Sequence, residues 1–125
     1  MSLIHQGILK AMSHLEAFEN DGVSACFSFP EEFIGFQGHF KNNPVLPGIC
    51  KIQAVVAMVA AFYRQSYRLT EVGQAKFFLP VTCNQKITIQ CHPKLNPEGL
   101  MTLKALVKRE EEKISLLQLT IQGQA

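Results

Sequence analysis

Apolar and polar residues alternate with the period of two expected of a half-buried strand over residues 15–19, 23–29, 74–79, 86–92, 100–108 and 114–121. The breaks between these segments carry turn chemistry: Asn20-Asp21-Gly22, Pro80, Asn84-Gln85, Asn96-Pro97-Glu98-Gly99 and the charged run 109–112. Asp-Gly predicts a tight hairpin, because its residues tolerate the positive φ that such a turn needs. The middle of the chain reads differently. From position 47 to about 67 no breaker occurs, and Pro47 suits the first turn of a helix, where its missing N–H costs nothing. Every residue of 52–63 except Gln53 is apolar, so this helix is expected to be buried nearly all round. Two strands, one long helix and four strands fit an α+β fold in which a curled antiparallel sheet wraps one central helix. Residues 2–13 fit either a short helix or an irregular lead-in.

Composition narrows the possible roles. At 125 residues the chain is expected to be one domain, 1–125, large enough to bury a core without disulfides or a structural metal. Charged residues make up 18% and the formal net charge is +2, which argues against a disordered chain and against nucleic acid as a partner. The most apolar window, 54–63, is half the length that a membrane-spanning helix requires, so no membrane partner is expected. The first ten residues lack the pattern of an export signal, which points to the cytoplasm. Cys26, Cys50, Cys83 and Cys91 include no Cys-x-x-Cys pair and read as reduced thiols. Cys83, Cys91 and His92 do not have the spacing of common zinc knuckles, and no metal or cofactor is expected. His5, His14 and His92 read as structural or surface side chains.

The long segment 31–48, punctuated by Gly35, Gly38, Pro44, Pro47 and Gly48, predicts a loop of the length that tends to be functional. Within it stands Gly38-His39-Phe40-Lys41-Asn42-Asn43-Pro44-Val45-Leu46-Pro47-Gly48. This resembles the signature of the hotdog-fold 3-hydroxyacyl-acyl-carrier-protein dehydratases: Gly-His-Phe, a short spacer, Pro-Val-(Leu/Met)-Pro-Gly and then the central helix. Ala75-Lys76-Phe77-Phe78-Leu79-Pro80-Val81 is similar to the family's strand after the helix, and the order of elements extends the likeness over about residues 15–122. The resemblance implies a hotdog fold, a homodimer, and an acyl thioester substrate carried on an acyl carrier protein.

Chemistry gives each matching residue a role. Dehydration of a 3-hydroxyacyl thioester removes a proton beside the thioester carbonyl, and His39 is the candidate base because neutral imidazole titrates near the working pH. Gly48 is expected to offer a backbone N–H at the helix amino end to the carbonyl oxygen on which charge gathers. Phe36 and Phe40 are expected to exclude water, and Val45, Leu46 and Pro47 to line the substrate site. Cys50, in the first turn, reads as a small apolar side chain in preference to a nucleophile. Lys41, Lys51, Arg64 and Arg68 read as solvated charges that flank the loop and helix ends.

One position departs from the family. Fourteen residues after the His, the family carries a Glu or Asp that holds the leaving hydroxyl and helps to protonate it, and here Gln53 stands there. An amide can orient a hydroxyl but has no proton to give near pH 7. No acidic residue lies between Glu32 and Glu71. Three readings follow: a dehydratase in which Gln53 positions the hydroxyl; a non-catalytic or heterodimeric acyl-thioester-binding subunit; and an acyl thioesterase.

Overall fold

The computed structural model describes residues 2–37 and 44–124. A nine-residue helix, α1 (Leu3–Ala11), leads into the strand pair β1 (Met12–Phe18) and β2 (Gly22–Ser28). A short 3-10 turn (Ile34–Phe36) precedes the central helix α2 (Gly48–Tyr63), and four strands follow: β3 (Tyr67–Phe77), β4 (Lys86–Leu95), β5 (Leu100–Arg109) and β6 (Glu112–Gly123). All six strands form one antiparallel sheet in the order β1-β2-β4-β5-β6-β3. This is the expected α+β hotdog arrangement, with α1 added in front; Ser2 caps α1 by accepting from the His5 N–H at 3.0 Å.

Alternation sets the faces. Ile87, Ile89 and Cys91 of β4, Leu103, Ala105 and Val107 of β5, and Leu117, Leu119 and Ile121 of β6 are buried. They pack into one core with Ala54, Val55, Met58 and Val59 of α2. Pro93 is tolerated inside β4 because β2 stops pairing at Val23↔Cys91, so no strand lies there to receive its missing N–H. The β1–β2 turn places both Asn20 and Asp21 at positive φ (55° and 62°), as a type I′ hairpin requires.

Three expectations need correction. Helix α2 ends at Tyr63, because Arg64 takes the left-handed conformation (φ 55°) usually left to glycine at a helix end. The chain after it enters β3 at Tyr67, where a helix was expected to continue, and β3 ends at Phe77. Nor is α2 buried all round: Ile49 is 54% exposed, Gln53 is exposed, and Val56 and Ala60 are only half-buried. These positions fall four, three and four residues apart and so form one open stripe along the helix.

β3 explains that stripe. It pairs only with β6, is interrupted by two register shifts, and is exposed along most of its length. Only Tyr67 and Leu69, at its start, are half-buried against the core. A strand exposed along most of its length has little reason to alternate, and the alternation of Tyr67-Arg68-Leu69-Thr70 breaks at the register shift after Leu69, so the first half did not read as a strand.

Candidate functional site

The amino end of α2 is fixed from three sides. Pro47 caps the helix in an extended conformation and Gly48 is its first residue, so the Gly48 N–H belongs to the first turn, whose donors have no partner within the helix. The incoming segment is tied to the loop after β3: the Leu46 N–H donates to the Val81 carbonyl at 2.7 Å, and Val45 bridges Thr82. Arg109 holds that loop in turn. Its Nη1 donates to the Pro80 carbonyl and to Gln85 Oε1, both at 2.9 Å, while its Nε pairs with Glu112 at 3.0 Å. The charged run 109–112, legible only as a turn, therefore also positions a wall of the site.

These segments border an open cavity of about 400 Å³ lined by Val45, Leu46, Pro47, Gly48, Lys51 and residues 77–80. The expected substrate-lining residues Val45, Leu46 and Pro47 thus come together with Gly48. Over Gly48 lies the ring of Phe77, only 2.7 Å from where a Cβ would stand, so a larger residue here would have to push that ring aside. The same ring faces Lys51, whose Nζ is 5.2 Å from its centroid.

Lys51 corrects the sequence reading. It is 3% exposed, in contrast to the solvated surface charge expected. Its burial pushes the ammonium below the ordinary lysine range, with the neighbouring Cys50 acting weakly in the opposite direction. Among the described residues the one ion pair is Arg109–Glu112, so no carboxylate compensates Lys51. One signal was available: Lys51 is the single charged residue in 48–63.

Gln53 opens elsewhere. Five residues on from Gly48, it faces a second cavity of about 460 Å³ together with Ile49, Val56, His5, Tyr67 and Leu69. Within the chain, Gly48 and Gln53 are therefore on different faces of α2. Phe36 sits in an aromatic cluster under the loop, edge-on to Phe33 at 5.7 Å, with Phe33 at 4.7 Å from Phe29. His39, Phe40 and Lys41 lie outside the described residues.

The other singled-out side chains have structural surroundings. Cys50 is buried and desolvation pushes its thiol up, with the Lys51 charge opposing, which suits an apolar filler better than a nucleophile. Cys91 is fully buried and its thiol is pushed up to about 12 by desolvation. His92, its neighbour, points to the other face, where Nε2 lies 3.1 Å from the Glu19 carbonyl. Arg68 donates to Gln122 Oε1 at 2.8 Å. No helix among the described residues is long and apolar enough to cross a membrane.

Comparison with known proteins adds the family. A 3-hydroxyacyl-[acyl-carrier-protein] dehydratase FabZ of Caulobacter vibrioides is 38% identical over 56 residues, 45% of this chain and 34% of that protein. The chain thus spans about a third of the length of the curated relatives it matches. In structure it resembles the dehydratase heterocomplex ApeI:P from Xenorhabdus doucetiae (TM-score 0.70, 16% identity, 89% of this chain and 96% of that one). It also resembles a hypothetical thioesterase crystallised with coenzyme A from Streptococcus pneumoniae (TM-score 0.69, 8% identity, 98% and 94%). At such identities these two likenesses establish the hotdog fold alone. The model of the ApeI-like family, described as ApeI dehydratase, matches residues 15–117, and the chain therefore belongs to that dehydratase family.

Proposed function

We propose that the chain eliminates water from a 3-hydroxyacyl thioester, presented on an acyl carrier protein, to give the 2-enoyl thioester at the amino end of α2. The observation that carries this reading is Gly48: a residue without a side chain, first in the helix, on a cavity large enough for the thioester. In a chain of this family, such an N–H suits the thioester oxygen, because the unpaired donor and the helix dipole favour the charge that gathers there. His39 removes the C2 proton. Gln53 orients the 3-hydroxyl, and the imidazolium formed at His39, or water, returns the proton as C3–O breaks. Phe36 and Phe40 keep water out.

Because Gly48 and Gln53 face different cavities of one protomer, the reading requires a second chain. The unpaired edge of β3 supports a homodimer: Val72, Phe77 and Phe78 are 43%, 47% and 50% exposed there, beside the open stripe of α2. In such a homodimer the family resemblance implies that His39 of one copy works opposite Gln53 of the other. Following enoyl product from a 3-hydroxyacyl thioester series tests the proposal. His39→Ala should abolish it and Gln53→Glu should accelerate it, by up to the roughly 10²- to 10⁴-fold that a general acid contributes. Equal rates in wild type and both variants would refute it.

Gln53 itself favours a second reading, in which a different hotdog chain supplies the carboxylate opposite His39. Native mass spectrometry with a candidate partner separates the two, since a homodimer that dehydrates alone excludes the heterodimer.

A further inference from the structure

We infer that Lys51 is a catalytic residue of this site: its ammonium, beside the Gly48 N–H, holds the thioester oxygen while that oxygen carries negative charge. The inference rests on the reading that the cavity takes an acyl thioester, and adds to it a residue that the family signature does not mark.

Lys51 follows Gly48 by three residues, so both stand on one face of α2, and side chains on a helix lean toward its amino end. Lys51 is therefore directed at the turn that Gly48 begins. Both residues line the same cavity, and among the described residues Lys51 is its one ionisable side chain. Cys50, the titratable group coupled to Lys51, does not line it.

A lysine 97% removed from solvent without a carboxylate loses hydration and recovers little of it. Among the described residues it has the face of Phe77, whose electron-rich ring is a weak stand-in for an anion. That same ring covers Gly48. One half-exposed side chain thus occupies both the space beside Gly48, where a side chain would stand, and the space facing the ammonium. A thioester oxygen arriving at Gly48 displaces the ring and takes its place before both donors.

When the base takes the C2 proton, the C–H electron pair moves onto the carbonyl oxygen to form an enolate, which accepts hydrogen bonds from Gly48 N–H and Lys51 Nζ–H. The pair then returns to form C2=C3, the C3–O bond breaks, and the leaving hydroxide takes back a proton from the protonated base as water. Lys51 keeps its protons throughout, so arginine can partly replace it and methionine cannot.

Acetoacetyl-coenzyme A tests this without turnover, because it ionises to an enolate with its own ultraviolet band. The wild-type full-length protein should raise that band at fixed pH, Lys51→Met should abolish the rise, and Lys51→Arg should keep part of it. In the dehydration assay Lys51→Met should lower kcat by about 10²- to 10³-fold with KM little changed, the loss expected for one oxyanion donor. Its melting temperature should be no lower than wild type, because an uncompensated buried charge has been removed, so misfolding does not explain the loss. An enolate band equal in wild type and Lys51→Met, or none above free probe in wild type, overturns the inference. Failure of the dehydratase reading looks different: the Lys51-dependent band persists while no enoyl product forms.

Discussion

Replacing Gly48 by alanine separates what the site does for stability from what it does for chemistry. The new methyl would stand 2.7 Å from Phe77 Cζ, whereas carbon atoms settle at about 3.5–4.0 Å, so the ring must retreat by about an ångström. The obstacle is the far end of a half-exposed side chain, which can move without shifting backbone. Retreat takes the ring centroid from 5.2 Å toward the limit of its attraction for Lys51, which forfeits about 0.5–2 kcal/mol. Against this, alanine gains about 0.4–1 kcal/mol over glycine, partly by restricting the unfolded chain. The two nearly cancel, and Gly48→Ala should unfold within about 1 kcal/mol of wild type with an unchanged urea m-value. Activity should not survive as well, because the methyl fills the space through which a thioester oxygen reaches the N–H. A loss of about 10²-fold or more in enoyl formation is expected. Urea titration by circular dichroism, run beside the product assay, reads both quantities. A variant that keeps full activity, or one destabilised by more than about 3 kcal/mol, would refute the account of why glycine stands there.

Arg109→Ala removes the donors to Pro80 and Gln85 that hold the cavity wall, and should cost about 1–3 kcal/mol in urea unfolding after allowance for water replacing partly exposed bonds. Cys91, raised from 9.0 to about 12 in the folded chain, stabilises fully below about pH 9 and loses that contribution as pH rises toward 12, because only the unfolded thiol ionises in that window. Wild type should therefore lose about 1.4 kcal/mol to this group between pH 8 and pH 10, and Cys91→Ala should be less stable at pH 8 but fall less steeply. Val72→Lys, on the free edge of β3, should give a monomer in sedimentation without unfolding the chain; a dimer that persists argues against that edge as the interface.

Most of the fold was legible because burial on one face writes itself as alternation. β4, β5 and β6 each present one face to α2, and their polar–apolar period marked them within a few residues. β3 was not legible over 67–73, since it is exposed along most of its length and carries no sustained alternation. The end of α2 escaped for a local reason: Arg64 performs a turn that glycine ordinarily announces. At the site, the signature around Gly48 marked the helix amino end and the residues beside it. It did not mark Lys51 or Arg109, because charge in a sequence reads as solvation until tertiary packing buries it. Nor could it reveal that Gly48 and Gln53 open on different cavities, although their five-residue spacing already put them on different helix faces.

The central claim is that a thioester held at Gly48 loses its C2 hydrogen to His39. Incubating the protein in D2O with a 2-enoyl thioester, and reading the mass of the 3-hydroxyacyl thioester formed by the reverse hydration, tests this most directly. One deuterium at C2, formed by wild type and absent with His39→Ala, is the predicted result. No 3-hydroxyacyl product from wild type, or the same deuterated product from His39→Ala, would contradict the account.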